Sequence, residues 1–386
     1  MRWIEYVVLA VAAIPFIYYA IVLYSSLRFF SSTRLQQKPQ GAFTPPVSNL
    51  KPVCGVDPEA YENFATYCRQ DYPEYELLFC AGDKDDPAVP VIEKLMRDFP
   101  GSKIRLLFCP PHNAVNDKVA KLARLVEAAQ HEVLVINDAD VRVRPDYFRT
   151  VVAPLQDSRI GAVTCMYTTT RETSFAEELQ SIGMVCDFYP GILVAWQLDG
   201  VKFALGQTMV TSKSRINGFG GYRTMENLPA DDLLLGRKVD EQGYKVVLLS
   251  YAVETVPDFR SARGLLDKRL RWMTVMRHMR PWGHLGLIFT QGLPWCILAM
   301  LISPSVAVAS LYLGGYAAFR LAITLWIGVF GVKQPRLIRK LPLIPVWDAT
   351  AFVIWLASFA KTSIRWRGVD YRLAEGRLVP AGRSNL

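Results

Sequence analysis

Residues 6–24 read "YVVLAVAAIPFIYYAIVLY" and contain no charge. As a helix that run is about as long as a bilayer core is thick, and such a segment must be buried in lipid or protein. A cleaved signal peptide would also carry an apolar stretch. This run is long, holds Pro15 and bulky aromatics, and is followed by no small-residue cleavage site. An uncleaved anchor over residues 1–30 is the expectation. Arg28, Arg34 and Lys38 come next, which places the following segment in the cytoplasm by the positive-inside tendency.

Further apolar stretches cover 285–331 and 343–360, and they account for 51% hydrophobic residues and a mean hydropathy of +0.16. The stretch 285–331 reads as two crossings split near Ser303 and Pro304. The last stretch has two readings. A third crossing would put the basic tail outside; a re-entrant or interfacial segment would keep it inside, near the preceding domain. The net charge of +9 borders these apolar segments. Anionic lipid headgroups are therefore the simpler partner, and no nucleic acid is expected. Seven cysteines, an odd number with no C-x-x-C pair, argue against a disulfide framework or a zinc site.

After a Pro-, Gly- and Gln-rich linker at 31–46, strand and helix signals alternate through residues 47–260. Apolar runs "YELLFC", "KIRLLFC" and "EVLVIN" are separated by helical spacing such as Val119, Leu122, Leu125 and Val126. The alternation predicts an α/β domain with a mostly parallel sheet covered on both faces. Two acidic loops, Asp83-Lys84-Asp85-Asp86 and Asp138-Ala139-Asp140, fall at strand ends, where open α/β sheets bind ligands. Residues 174–200 are apolar but interrupted by Asp187, Pro190 and Gly191. They read either as a segment at the membrane surface or as a buried helix and strand. An amphipathic interfacial helix is expected over 261–283, then C-terminal membrane segments and a basic tail over 284–386.

Asp138 and Asp140 lie two residues apart in extended chain, so their carboxylates point the same way. A pair so placed can hold Mg2+ or Mn2+ together with substrate phosphates; a solvated acidic turn is the plainer alternative. Asp231-Asp232 follows Pro229. It reads as a helix start favoured by the dipole, or as a general base for a hydroxyl. In "LLDKRLRWMTVMRHMRPW", Lys268, Arg271 and Trp272 share one helical face. They suit lipid headgroups, or a pyrophosphate on Arg271 and a sugar or acceptor under Trp272. Asn116 and Lys118 fit either a helix start or a nucleotide contact.

Taken in order, the acidic loop, D-x-D, Asp-Asp and R-W elements resemble those of membrane glycosyltransferases with a GT-A fold. "LKPVCGVDPEAYENF", "DYPEYELLFCAGDKDDPA" and "WRGVDYRL" resemble stretches of the ceramide glucosyltransferase family more closely. The resemblance implies a Rossmann-like mixed sheet with N- and C-terminal transmembrane helices. It assigns Asp86 and Asp83 to the uracil, Asp138 to the nucleotide sugar, Asp232 to the catalytic base, and Lys268, Arg271 and Trp272 to the final motif. Lys268 stands where the family usually has Gln or Arg. Tyr189 stands near the place of an acceptor-side histidine of the animal enzymes.

The activity implied is inverting, metal-dependent transfer of one sugar from a UDP-sugar, UDP-glucose first, to a ceramide-type lipid hydroxyl. Transfer of N-acetylglucosamine to a hopanoid is the nearest variant. A processive polysaccharide synthase and a non-enzymatic membrane scaffold are the rivals. The implied location is a bacterial inner membrane, with the catalytic domain in the cytoplasm.

Overall fold

The structure, a computed structural model, describes residues 2–36, 43–110, 112, 114–257, 261–366, 369–374 and 377–380. Part of the expected linker lies outside these residues. Eight strands form one sheet: β1 (Val47–Pro52), β2 (Tyr75–Ala81), β3 (Ile104–Phe108), β4 (Val133–Ile136), β5 (Val141–Arg142), β6 (Ile160–Thr169), β7 (Met209–Ser212) and β8 (Lys245–Thr255). Their spatial order is β3-β2-β1-β4-β7-β6-β8-β5. The strands from β3 to β4 are parallel, and β7 runs against both β4 and β6. The sheet is thus mixed.

β1 and β4 are buried along their whole lengths, which fits near-continuous apolar runs in a sheet covered on both faces. The polar residues of β1 are satisfied in place. Ser48 donates to Glu76 at 2.6 Å, and Asn49 donates to Asn137 Oδ1 at 2.8 Å. All seven cysteines are unpaired.

Two helices, Arg2–Ala12 and Ile14–Gln36, carry the first apolar run. The break between them precedes Pro15, which has no N–H to give and crowds the preceding turn. Trp3–Ser32 and Val306–Gly331 are both long and apolar enough to cross a membrane. The helices Gly292–Ile302 and Val306–Ile323 flank the break expected near Ser303 and Pro304. Gly292–Ile302 has only 11 residues, about 16 Å of helix. It meets the preceding helical stretch at a 57° bend.

Arg320, inside the second apolar stretch, is buried against Asp348 with Nε to Oδ2 at 2.9 Å. Tyr316 donates to the same oxygen at 2.7 Å. Charges among apolar helices persist only when paired in this way.

Two further helical stretches, Phe175–Asp199 and Pro335–Ala360, are also long and apolar enough to cross a membrane. Residues 175–199 leave β6 through the Ser174 capping box and return at Val201, which bridges to Val246 of β8. Both ends therefore rest on the sheet, and the segment is largely buried. Residues 335–360 start against the loop after β6 and finish against the helix Ala262–Met279. Lys340 pairs with Glu172 at 2.6 Å, and Arg277 donates to the carbonyls of Phe359 and Lys361. The tail that follows packs against the loops at Val115 and Asn227. That tail forms a small sheet of β9 (Ser363–Trp366), β10 (Val369–Ala374) and β11 (Arg377–Pro380).

Candidate active site

β1 pairs with β2 on one side and β4 on the other, all parallel. The chain runs outward from β1 to β2 and β3, then crosses back to β4. A crevice opens beyond the carboxyl ends at such a switch point. Asn137, the first residue after β4, is fully buried there. Its amide donates to the Gln207 carbonyl at 2.7 Å and to the Tyr147 hydroxyl at 2.8 Å. This fixes the backbone where Asp138 leaves the sheet.

Asp138 Oδ1 lies 2.8 Å from Lys118 Nζ, and Asp231 Oδ2 lies 3.0 Å from the same nitrogen. Lys118 stands in the first turn of the helix Asp117–Ala128, capped by Asn116. The Asn116 side chain accepts from Val119 N and donates to the Leu228 carbonyl at 2.9 Å. One cap therefore ties the lysine's helix to the chain leading into Asp231-Asp232. The first helical residue, Asp231, follows Ala230, whose φ of 58° is left-handed. Such a conformation in a residue other than glycine costs on the order of 1–3 kcal/mol and concentrates at functional sites. Neither aspartate caps its helix through the Ala230 position. Asp231 goes to Lys118; Asp232 Oδ2 accepts from Gly206 N at 3.1 Å.

Gly206 is the residue that the sequence reading missed. A Cβ placed on it would lie 3.0 Å from Asp138 Oδ2, 3.3 Å from Asp232 Oδ2 and 3.6 Å from Lys118 Nζ. Three functional candidates thus converge on one backbone position where a side chain fits only if their ends shift by a few tenths of an ångström. The loop around it is locked by Gly236, where a Cβ would sit 2.3 Å from the Phe203 backbone. Gly206→Ala is expected to cost about 1 kcal/mol of stability as the carboxylate ends shift. Displaced reacting groups should lower turnover by about tenfold or more. Thermal melting beside a transfer assay checks both.

The electrostatics follow from burial. Burial and then Asp231 raise the Asp232 carboxyl to about 6, against the pull of Lys118. Burial, Asp138 and Asp57 raise Asp140 to about 7, with Lys268 opposing. Burial alone would lower Lys118; Asp138, Asp231 and Asp232 outweigh it and hold the ammonium well above its usual value. Lys51 of β1 is a second cation not anticipated from sequence. It lies fully buried, 3.4 Å from the Asp138 carbonyl and 3.6 Å from the centre of the Tyr67 ring. Burial lowers it to about 7, with Asp138 and Asp140 opposing.

Asp140 is thus a carboxylate short of positive charge, with Asp138 two residues away. Among the described residues no three His, Cys, Asp or Glu side chains could hold a metal between them. The acidic pair suits a divalent cation that takes its remaining ligands from substrate phosphates.

The helix Ala262–Met279 places Lys268 and Arg269 5.4 Å and 5.2 Å from the centre of the Trp272 ring, with the Phe188 ring tilted against it at 6.3 Å. Burial lowers Lys268, and Asp140 opposes this. Arg271 is half-buried beside it. Arg269, which the spacing argument passed over, is the buried member and donates to Gln180 at 2.9 Å. Other candidates lie apart. Asp86 Oδ1 accepts from Gly55 N at 3.0 Å and Ala88 N at 2.9 Å, joining the loops after β1 and β2. Asp83 closes a local turn with Asp85 N. Tyr189 is 1% exposed, and its hydroxyl is taken by the Tyr167 backbone. Its ring offers no free face for stacking; Trp272 and Phe188 are the half-buried rings nearby.

The C-terminal sheet touches both loops that lead into the site. Leu378 N donates to the Asn227 carbonyl at 2.9 Å, and Asn227 Oδ1 accepts from Val115 N at 3.3 Å. The tail therefore braces the approaches to Lys118 and Asp231.

The sequence pattern of Glycosyl transferase family 21 matches residues 7–379. Ceramide glucosyltransferase 1 of Caenorhabditis elegans is 22% identical over 404 residues, covering 100% of this chain and 85% of that protein. The ceramide glucosyltransferase of Komagataella phaffii is 32% identical over 143 residues, 35% of this chain and 28% of that protein. A mannosyltransferase, PcManGT from Pyrobaculum calidifontis, was solved in complex with GDP-Man and Mn2+. It superposes with a TM-score of 0.56 at 19% identity, covering 90% of this chain and 99% of that one. At that identity it shows a shared fold. The family pattern spans the N-terminal apolar helices, the α/β domain, the C-terminal apolar helices and the tail alike, and the chain belongs to glycosyltransferase family 21.

Proposed function

We propose that this glycosyltransferase moves one sugar from a UDP-sugar, UDP-glucose first, onto a hydroxyl of a ceramide-type membrane lipid, with inversion at the anomeric carbon. The observation that carries the reading is Asp232. It is a half-buried carboxyl raised to about 6, beside the Asp138–Lys118–Asp231 cluster. A base of that strength is matched to removing a hydroxyl proton near neutral pH. The whole-length relatives are named for ceramide, and apolar helices flank the site. Both support a lipid acceptor.

Asp232 takes the proton of the acceptor hydroxyl. The freed oxygen attacks the anomeric carbon as its bond to the UDP oxygen breaks, and UDP leaves with the electron pair. Asp138 and Asp140 would hold Mg2+ or Mn2+, which supplies charge for the departing diphosphate. Lys118 sets the charge balance of the acidic cluster, and Arg271 is assigned to the pyrophosphate. Asp86 and Asp83 are assigned to the uracil, and Trp272 to the sugar or acceptor face.

The test crosses UDP-glucose, UDP-galactose and UDP-N-acetylglucosamine with ceramide and a polyol hopanoid, with mass spectrometry on the lipid. Hexosylceramide formed from UDP-glucose supports the reading; a glycosylated hopanoid alone, or a polymer, replaces it. The pH profile gives a second check. Asp232 must be unprotonated to act, so kcat/KM should hold above about 6. It should fall roughly tenfold per unit below that. A flat profile through pH 5 would exclude Asp232 as the base.

A further inference from the structure

A cavity of about 390 Å³ lies between the end of β6 and the 3-10 helix Pro335–Leu343, away from the residues of the active site. Its size is that of a small-ligand pocket. Arg171, Arg336 and Arg339 line it, together with the Lys340–Glu172 pair and Glu178. In a 3-10 helix, residues three apart eclipse one another. Leu337 and Lys340 therefore share the buried side, and Arg336 and Arg339 stand together on the exposed side. Those two guanidinium groups make no ion pair among the described residues. Arg171, by contrast, is paired with Glu59. Against burial, Lys340, Ser181 and Thr169 hold Glu172 below the usual carboxylate range, so that acid stays charged and committed to its partners.

Two like charges side by side repel and call for an anion. We infer that this cavity binds the phosphodiester headgroup of an anionic membrane lipid, gripped by Arg336 and Arg339. Three observations favour a lipid over a free phosphate. Pro342 and Leu343 form an apolar part of the wall. Exposed apolar side chains, Ile338, Val346 and Val353, continue along the same segment, as a surface in contact with acyl chains would. Glu178 adds a negative charge to the wall. That disfavours inorganic phosphate, which is more highly charged than a diester. The site also reaches the sheet: Gln334 donates to the Thr169 carbonyl at 3.3 Å, at the end of β6.

The test is a native mass spectrometry titration of the full-length protein in neutral detergent with dioleoyl phosphatidylglycerol. It needs no assay of transfer, so it stands or falls apart from the proposed reaction. The wild type should retain the lipid in preference to dioleoyl phosphatidylcholine. Arg336→Gln with Arg339→Gln should weaken retention by about thirtyfold, the effect of two cations at a membrane surface. The charge-preserving Arg336→Lys with Arg339→Lys should keep most of it, which separates lost charge from misfolding. Equal retention by the wild type and the double Gln variant would overturn the inference. So would displacement of the lipid by excess inorganic phosphate.

Discussion

Asp232→Asn is expected to abolish sugar transfer, with turnover reduced by about a thousandfold, while UDP-sugar affinity stays close to that of the wild type. The amide keeps the volume of the carboxylate. It can still accept from Gly206 N, as Asp232 does at 3.1 Å, so the loop and the helix start should hold. What it cannot do is accept a proton from a hydroxyl. The loss should therefore fall on kcat rather than on donor binding. Donor affinity by calorimetry, read beside turnover, separates the two. A variant with near-normal turnover would remove Asp232 from the mechanism. One that loses donor binding as well would make it a structural residue of the nucleotide pocket.

Lys118→Met should be the most damaging single change to stability in the site. The Lys118 side chain is 14% exposed, and it faces Asp138 at 2.8 Å and a 7% exposed Asp231 at 3.0 Å. Removing one member of a buried ionic group strands the others, typically at about 3 kcal/mol. Methionine fills a similar volume, so the loss is one of charge rather than of packing. Turnover should fall by about a hundredfold or more, because Asp138 and Asp231 then face each other beside Asp232 without their shared cation. The stability deficit should shrink in acid, where the stranded carboxylates take up protons. Thermal melting across a pH series checks this. A melt unchanged from the wild type at neutral pH would mean that Lys118 is dispensable to the cluster.

The strand ending in Asn137-Asp138-Ala139-Asp140 was legible because the shift from apolar run to carboxylates is local. So was the alternation that gives the α/β sheet. The strand order was not, since it depends on which neighbours pair across the chain. Asp231-Asp232 could be read as a helix start, and it is one. The reason its acids turn inward is Lys118, more than a hundred residues earlier, and no spacing rule connects them. Gly206 carries no side chain to notice, and its importance comes entirely from what crowds it. Lys51 reads as a solvent-facing residue of a strand, yet it is buried beneath the acidic loop. Tyr189 was brought forward by resemblance alone, and its burial is set by Tyr167 on β6. The tail was legible as a basic, family-like stretch but not as a brace of the site, because its contacts with Val115 and Asn227 are purely tertiary.

The central claim is a single displacement driven by one base. The most direct test is the anomeric configuration of the product, read by NMR after incubation of the purified protein with UDP-α-glucose, ceramide and Mn2+. Inversion gives a β-linked glucosyl lipid, formed by the wild type and lost in Asp232→Asn. An α-linked product would require retention and a second nucleophilic step, and would contradict the role given to Asp232.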